Sequence, residues 1–205
     1  MRRESSTVVA LVGTLSNELT TGFGQSSNVA VIPPSAGKVP ADEDKTGPHR
    51  AGWEPGAMAM REASRRRATY VLVPDDPLAA VAAAWQAMWD LSSGPEGAAE
   101  FERQASEALS GWRDKLFELP DYYLVVAPPQ GADGRPDLYL GPLRAVRSRR
   151  VAVVTSPAGP VRPAQVLDAL RSLQHGPWWP ALDEVLDAAR RFYAGGVTPA
   201  QATLT

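Results

Sequence analysis

Short runs of β-branched and aromatic residues alternate along this chain with longer segments whose apolar side chains recur at helical spacing. The short runs predict buried strands, because they are bounded by turn-forming residues. Four of them follow residue 67, at 68–73, 122–126, 137–140 and 151–154. Residues 131–136, Gly-Ala-Asp-Gly-Arg-Pro, are typical of a chain reversal. We therefore expect the last three runs to form an antiparallel meander.

The segments with helical spacing predict four helices. The first begins at Asp76 and Pro77, an N-cap residue followed by a proline at the first helical position, and ends near residue 91. The others span about 96–117, the residues after Pro163, and about 180–194. This order predicts an α+β fold, with a single three- to four-stranded, mainly antiparallel sheet covered by two helical pairs.

Residues 1–67 differ from the rest of the chain, because Ser, Thr, Gly and Pro predominate. This composition predicts an extended N-terminal arm that is disordered or only conditionally ordered, followed by a domain at 68–196 and a tail at 197–205. Two short apolar runs interrupt the arm, at 8–12 and 29–32. They predict either extra strands on a sheet edge or segments that order on a partner, which makes Val29 and Val31 candidate partner-binding residues.

The composition excludes several kinds of chemistry but does not indicate a particular one. The chain has 205 residues, 44% of them apolar, enough for one ordinary core. It has no cysteine, which excludes disulfides, thiolate metal sites and a cysteine nucleophile. Arginine supplies 18 of the 21 basic residues, which indicates a gene from a GC-rich bacterium.

Targeting signals are weak. Arg2 and Arg3 precede an apolar patch at 8–15, but the patch is short for a signal sequence and no convincing cleavage site follows it. No apolar run approaches the roughly 20 residues that a membrane span requires. We expect a cytoplasmic protein with no membrane partner.

Charge is unevenly distributed. Residues 69–120 carry nine acidic and three basic side chains, whereas residues 121–163 carry three acidic and six basic ones. The basic segment contains a cluster of four arginines, Arg144, Arg147, Arg149 and Arg150. Guanidinium groups suit phosphate, so one hypothesis is that this cluster binds nucleic acid or another polyanion. The isoelectric point of about 5.7 and the lack of a DNA-binding motif count against that hypothesis.

Motifs for catalysis are missing from the sequence. It contains no HExxH or GxSxG pattern, and its glycine-rich stretches lack the spacing and the lysine of a phosphate loop. Asp75 and Asp76 fit helix capping better than metal binding, and His175 lies at a predicted helix end with no partner indicated by spacing. We therefore predict no catalytic residue, metal or cofactor, and an unrecognised enzyme stays a second alternative.

The leading hypothesis is a non-catalytic protein-interaction module, an accessory or adaptor subunit of a bacterial cytoplasmic assembly. Besides Val29 and Val31, it draws on Trp178 and Trp179, which follow a proline and cannot both point easily into one core. An exposed tryptophan is a candidate hot spot for a protein partner. The sequence indicates neither the identity of that partner nor the oligomeric state.

Overall fold

A computed structural model shows a parallel sheet with helices on both of its faces. The structure describes residues 6–13, 15–16, 19, 21–23, 28–34, 51–89, 94–126, 138–156, 159–173 and 181–196. The strands are β1 Thr7–Gly13, β2 Val29–Val31, β3 Tyr70–Val73, β4 Tyr122–Val126 and β5 Val151–Val154. Their spatial order is β2-β3-β1-β4-β5, and every neighbouring pair is parallel.

The strand β1 lies at the centre of this sheet. Val9 lies opposite Leu72 of β3 on one side and Tyr122 of β4 on the other. The five apolar residues that begin at Val8 are buried on both faces of the strand. Such a continuous apolar run is typical of a strand covered by helices on both sides.

Helices supply the two covering layers. Their bounds are α1 Glu54–Ala63, α2 Ala79–Ala87, α3 Gly94–Arg113, α4 Arg144–Val146, α5 Pro163–Arg171 and α6 Leu182–Ala194. A π-helix, Tyr139–Leu143, directly precedes α4, and a 3-10 turn, Ser148–Arg150, follows it. One face packs Trp85 of α2, Phe101 of α3 and Leu186 of α6 against Tyr123, and the other packs Leu170 of α5 against the sheet. Within the parts of the chain that the structure describes, no helix is long and apolar enough to cross a bilayer.

The predicted fold class is wrong. The sheet has five strands rather than three or four and is parallel rather than mainly antiparallel, so the architecture is α/β. The predicted strand at 137–140 is helical from residue 138, which removes the meander. The predicted fold class also included an extended N-terminal arm outside the sheet. That part is wrong too, because the first apolar run of the arm forms the central strand β1. Since parallel neighbours need crossover connections, the helices lie between strands along the chain and cover both faces.

The sheet takes strands from both sides of residue 68. The segments β1, β2 and α1 precede that position, and all three contact β3 or β4. Ala59, Met60 and Ala63 of α1 pack against Val71 and Val73. The predicted C-terminal tail at 197–205 lies outside the described residues.

The end of α3 gives a first testable prediction. Lys115 has a φ of 58°, the Leu116 N–H donates to Gly111 O at 2.9 Å, and the Lys115 N–H donates to Trp112 O at 3.0 Å. These are the bonds of a Schellman motif, whose left-handed position favours glycine. We expect Lys115→Gly to raise the free energy of unfolding by about 0.5–1 kcal/mol in urea titrations. A Lys115→Ala control should bring no such gain, because alanine keeps the Cβ; equal gains would contradict this explanation.

Candidate functional site

The outer edge of β2 is the most distinctive surface of the sheet. The Ile32 N–H donates to Leu72 O at 2.9 Å, and Asn28 O accepts from the Tyr70 N–H at 3.0 Å. In a parallel ladder, alternate residues bond to the same neighbouring strand. Asn28, Ala30 and Ile32 therefore bond to β3, and the backbone N–H and C=O groups of Val29 and Val31 point away from it.

The side chains along β2 hold the strand in place. Val29 is buried and packs with Phe23 and Leu72 on one face of the sheet, and Val31 is half-buried against the same cluster. Ile32 is buried on the opposite face beside α1. Pro33 and Pro34 are exposed and follow immediately, and a proline has no N–H to extend a ladder. The strand is therefore short and anchored on both faces of the sheet, and the prolines limit the ladder at its C-terminal end.

The other predicted partner-binding residues fall elsewhere. Trp178 and Trp179 lie outside the described residues, as does His175. These two tryptophans, Val29 and Val31 are the four predicted partner-binding residues. Whether any of the four residues binds a partner stays a prediction.

The arginine cluster is divided by the helical structure of its segment. Arg144 and Arg149 are exposed, whereas Arg147 is half-buried and donates to Val146 O at 3.0 Å. Arg150 is buried, with its guanidinium carbon 4.9 Å from the centre of the Tyr122 ring and its Nη1 3.4 Å from Asp121 O. Binding of a polyanion by Arg144, Arg147, Arg149 and Arg150 stays a prediction.

Asp76 is a buried polar centre that the sequence identified only as a helix cap. Its Oδ1 accepts from the Tyr123 hydroxyl at 2.9 Å, and its Oδ2 accepts from the Tyr139 hydroxyl at 2.6 Å. Its backbone carbonyl accepts from the Ala79 N–H at 3.1 Å, so the residue also forms the turn that leads into α2. Burial raises the pKa of Asp76 to about 6, and hydrogen bonds from Tyr139, the Leu78 N–H and Tyr123 oppose that shift.

Asp121 is a second buried acid, which the sequence did not single out. Its Oδ2 accepts from the Val8 N–H at 2.7 Å, and its own N–H donates to Val8 O at 2.8 Å. Asp121 directly precedes β4, so these two bonds join the first residues of β1 to the start of β4. Asp121 thus fixes the central pair of strands, and it lies at the edge of the sheet where the strands begin.

The described residues include a small groove but no metal-binding cluster. Among the described residues there is no group of three His, Asp or Glu side chains placed to hold a metal ion. An open groove of about 180 Å³ lies between α1 and residues 115–118, where Arg61 Nη2 donates to Leu116 O at 3.1 Å. Its volume is below the roughly 300–1,000 Å³ of typical ligand pockets.

Comparison with known proteins adds no name to this geometry. No family model, curated protein or solved structure matches the chain.

Proposed function

We propose that this protein is a non-catalytic interaction module, an accessory or adaptor subunit of a bacterial cytoplasmic assembly, that binds an extended segment of a partner protein along β2. The observation that supports the proposal is the orientation of Val29 and Val31, whose backbone groups point away from β3. An edge strand in this state is a template for one more strand. Burial of Val29 and Ile32 on opposite faces holds the template in an extended shape before binding.

The geometry limits what the partner strand contains. Three residues of β2, followed by two prolines, offer few main-chain hydrogen bonds. Each bond contributes about 1 kcal/mol net, so affinity also requires apolar side chains of the partner beside the edge. On the face of Val29 and Val31, those side chains would extend the cluster that contains Phe23 and Leu72. The partner segment we expect is short, extended and apolar at alternate positions.

A single substitution on β2 tests the proposal. Val31→Pro removes the outward N–H and leaves the bonds of Ala30 and Ile32 to β3 in place, because a proline is tolerated on the outer side of an edge strand. Partners captured from the native host by the wild type, once purified, should bind Val31→Pro about tenfold more weakly by isothermal titration calorimetry.

The matched control is Val31→Thr, which keeps the outward N–H and the β-branched shape and should bind like the wild type. Equal affinity of the proline and threonine variants would contradict the proposed binding edge. Deletion of residues 1–60 is not a suitable test, since it removes the central strand β1 as well as β2. Circular dichroism melts should show that both variants keep the fold.

A further inference from the structure

One carboxylate forms the polar connection between the end of β3 and the segment at 138–146. Asp76 follows β3 by three residues and is 3% exposed. Tyr139, the first residue of the π-helix, donates to it at 2.6 Å and also packs against the Tyr123 ring, with the ring centres 5.3 Å apart. Movement of the segment away from the sheet would therefore break the shorter bond and admit water to the carboxylate.

Among the described residues, the groups that donate hydrogen bonds to Asp76 are neutral. From β4 it meets the Tyr123 hydroxyl, from the π-helix the Tyr139 hydroxyl, and from its own turn the Leu78 N–H. The helix α1 presents Gly56, where a Cβ would lie 2.1 Å from Pro77 N, so backbone packs directly on backbone there.

Two charged side chains on the surrounding helices, Glu54 and Arg190, are engaged elsewhere. In α1, Glu54 accepts from the Ala51 N–H at 3.3 Å. In α6, Arg190 binds Glu102 of α3 at 2.8 Å and Asp187 at 2.7 Å. Within the described residues, three hydrogen bonds from neutral donors therefore offset the cost of burying the ionised Asp76 carboxylate. An ionised carboxylate in such surroundings is costly unless it is paired with a cation.

We propose that Asp76, Tyr123 and Tyr139 form a pH-dependent latch that keeps the segment at 138–146 closed in acid and lets it open more often at neutral pH. In acid the closed segment buries a neutral carboxyl group at little cost. Near neutral pH it buries a charge, and opening relieves this cost because water then solvates the carboxylate. The segment carries the exposed Arg144, so the latch controls how firmly that part of the surface is held.

The direction and the size of the pH effect on opening follow from the linkage between proton binding and the position of the segment. Burial raises the pKa of Asp76 from 3.8 to about 6 in the closed segment, and solvation on opening returns it towards 3.8. Because the closed form has the higher pKa, its advantage is complete below about pH 4 and is lost as the pH rises through 6. The ratio of open to closed segment should therefore increase about tenfold between about pH 5 and about pH 7.5.

The backbone of residues 138–146 has features that favour local opening. The π-helix Tyr139–Leu143 contains Pro142, which has no amide hydrogen to donate. π-helical turns are uncommon and occur mostly where a helix is interrupted at functional positions. The segment thus combines a π-helical turn with a proline, and its side chains Tyr139 and Leu143 are buried against the sheet and α6.

Hydrogen exchange followed by NMR on the full chain tests the latch. After correction for intrinsic rates, amides in 138–146 should open about tenfold more often at about pH 7.5 than at about pH 5. Asp76→Asn keeps the size and the oxygen acceptor but removes the charge, so it should abolish this pH dependence. Tyr139→Phe should keep it and increase opening at the higher pH, because the carboxylate loses its shortest bond.

If a variant does not fold, the comparison of wild-type exchange at the two pH values still tests the latch. Opening that is the same at both pH values would overturn the latch, and so would a full pH dependence in Asp76→Asn. Exchange in 138–146 at the same rate as in β1 would also overturn it, since the opening would then be global unfolding. These outcomes are independent of the proposed binding edge on β2, which involves neither Asp76 nor Tyr139.

Discussion

Leu11→Ala is expected to lower the free energy of unfolding by about 4 kcal/mol in urea titrations. Leu11 lies in the central strand, is 0% exposed, and packs in the cluster that contains Leu124 and Leu170. Strands on both sides and helices on both faces leave the cavity little freedom to collapse, and such a loss approaches the whole stability of many domains. If residues 1–67 were an extended arm, the same substitution would change stability by less than about 0.5 kcal/mol.

Val153→Ala is the matched control for that experiment. Val153 is also an apolar residue of a parallel strand, but it lies in β5 at the edge of the sheet and is 38% exposed. Its truncation should cost less than about 1 kcal/mol, because much of the side chain already contacts water. Similar losses for Leu11→Ala and Val153→Ala would contradict the central position of β1.

Asp121→Ala is expected to cost about 3 kcal/mol, the second largest loss among these variants. The substitution leaves the buried Val8 N–H without the acceptor that lies 2.7 Å away in the wild type. An unsatisfied buried donor keeps its full desolvation penalty, and the bond that is lost here is made to an acidic side chain. The loss should appear in the denaturant midpoint with little change in slope.

Asp121→Asn is the conservative comparison. Its side-chain oxygen can still accept from the Val8 N–H, so it should cost about 1 kcal/mol. A loss for asparagine as large as that for alanine would show that charge, rather than the hydrogen bond to Val8, is what matters at this position. No loss for either variant would mean that Asp121 does not join β1 to β4.

The helices were the part of this fold that could be predicted best. Apolar residues that recur every three to four positions after Pro163 and after residue 180 correctly predicted α5 and α6. Such a pattern lies within one local segment, so the sequence shows it directly. The predicted strands at 68–73, 122–126 and 151–154 also formed. Their direction was wrong, because the composition of a run of four to six residues does not encode which neighbour it pairs with.

The segment at 137–140 was misread for a more specific reason. Its apolar residues resemble a short strand when viewed alone, but the buried positions include Leu138, Tyr139, Pro142 and Leu143. Positions separated by four residues repeat the period of a helix rather than a strand. The helical spacing is visible only when residues 138–143 are read together. Gly141 and Pro142, which usually break helices, led to the shorter interpretation.

The run at 8–12 was predicted as a possible edge strand or partner-ordered segment, and its central position in the sheet was missed because of the composition around it. The apolar run at 8–12 is followed by a long region rich in Ser, Thr, Gly and Pro, so residues 1–67 taken together resemble a polar linker. The two buried acids depend on contacts that are distant along the chain, with Asp76 and Tyr123 separated by 47 residues and Val8 and Asp121 by 113. No local pattern carries such information. The run at 29–32 was recognised as a candidate edge strand because strand propensity is local.

Residue-by-residue hydrogen exchange across the first 34 positions tests the central claim most directly, namely that β1 has two neighbouring strands and that β2 pairs with no described strand on its outer side. It predicts slow exchange for successive amides of β1, whose hydrogen bonds alternate between β3 and β4. Along residues 29–32 it predicts slow exchange at Ala30 and Ile32 and faster exchange at Val29 and Val31. Uniformly fast exchange in β1, or equal protection of the four amides at 29–32, would contradict it.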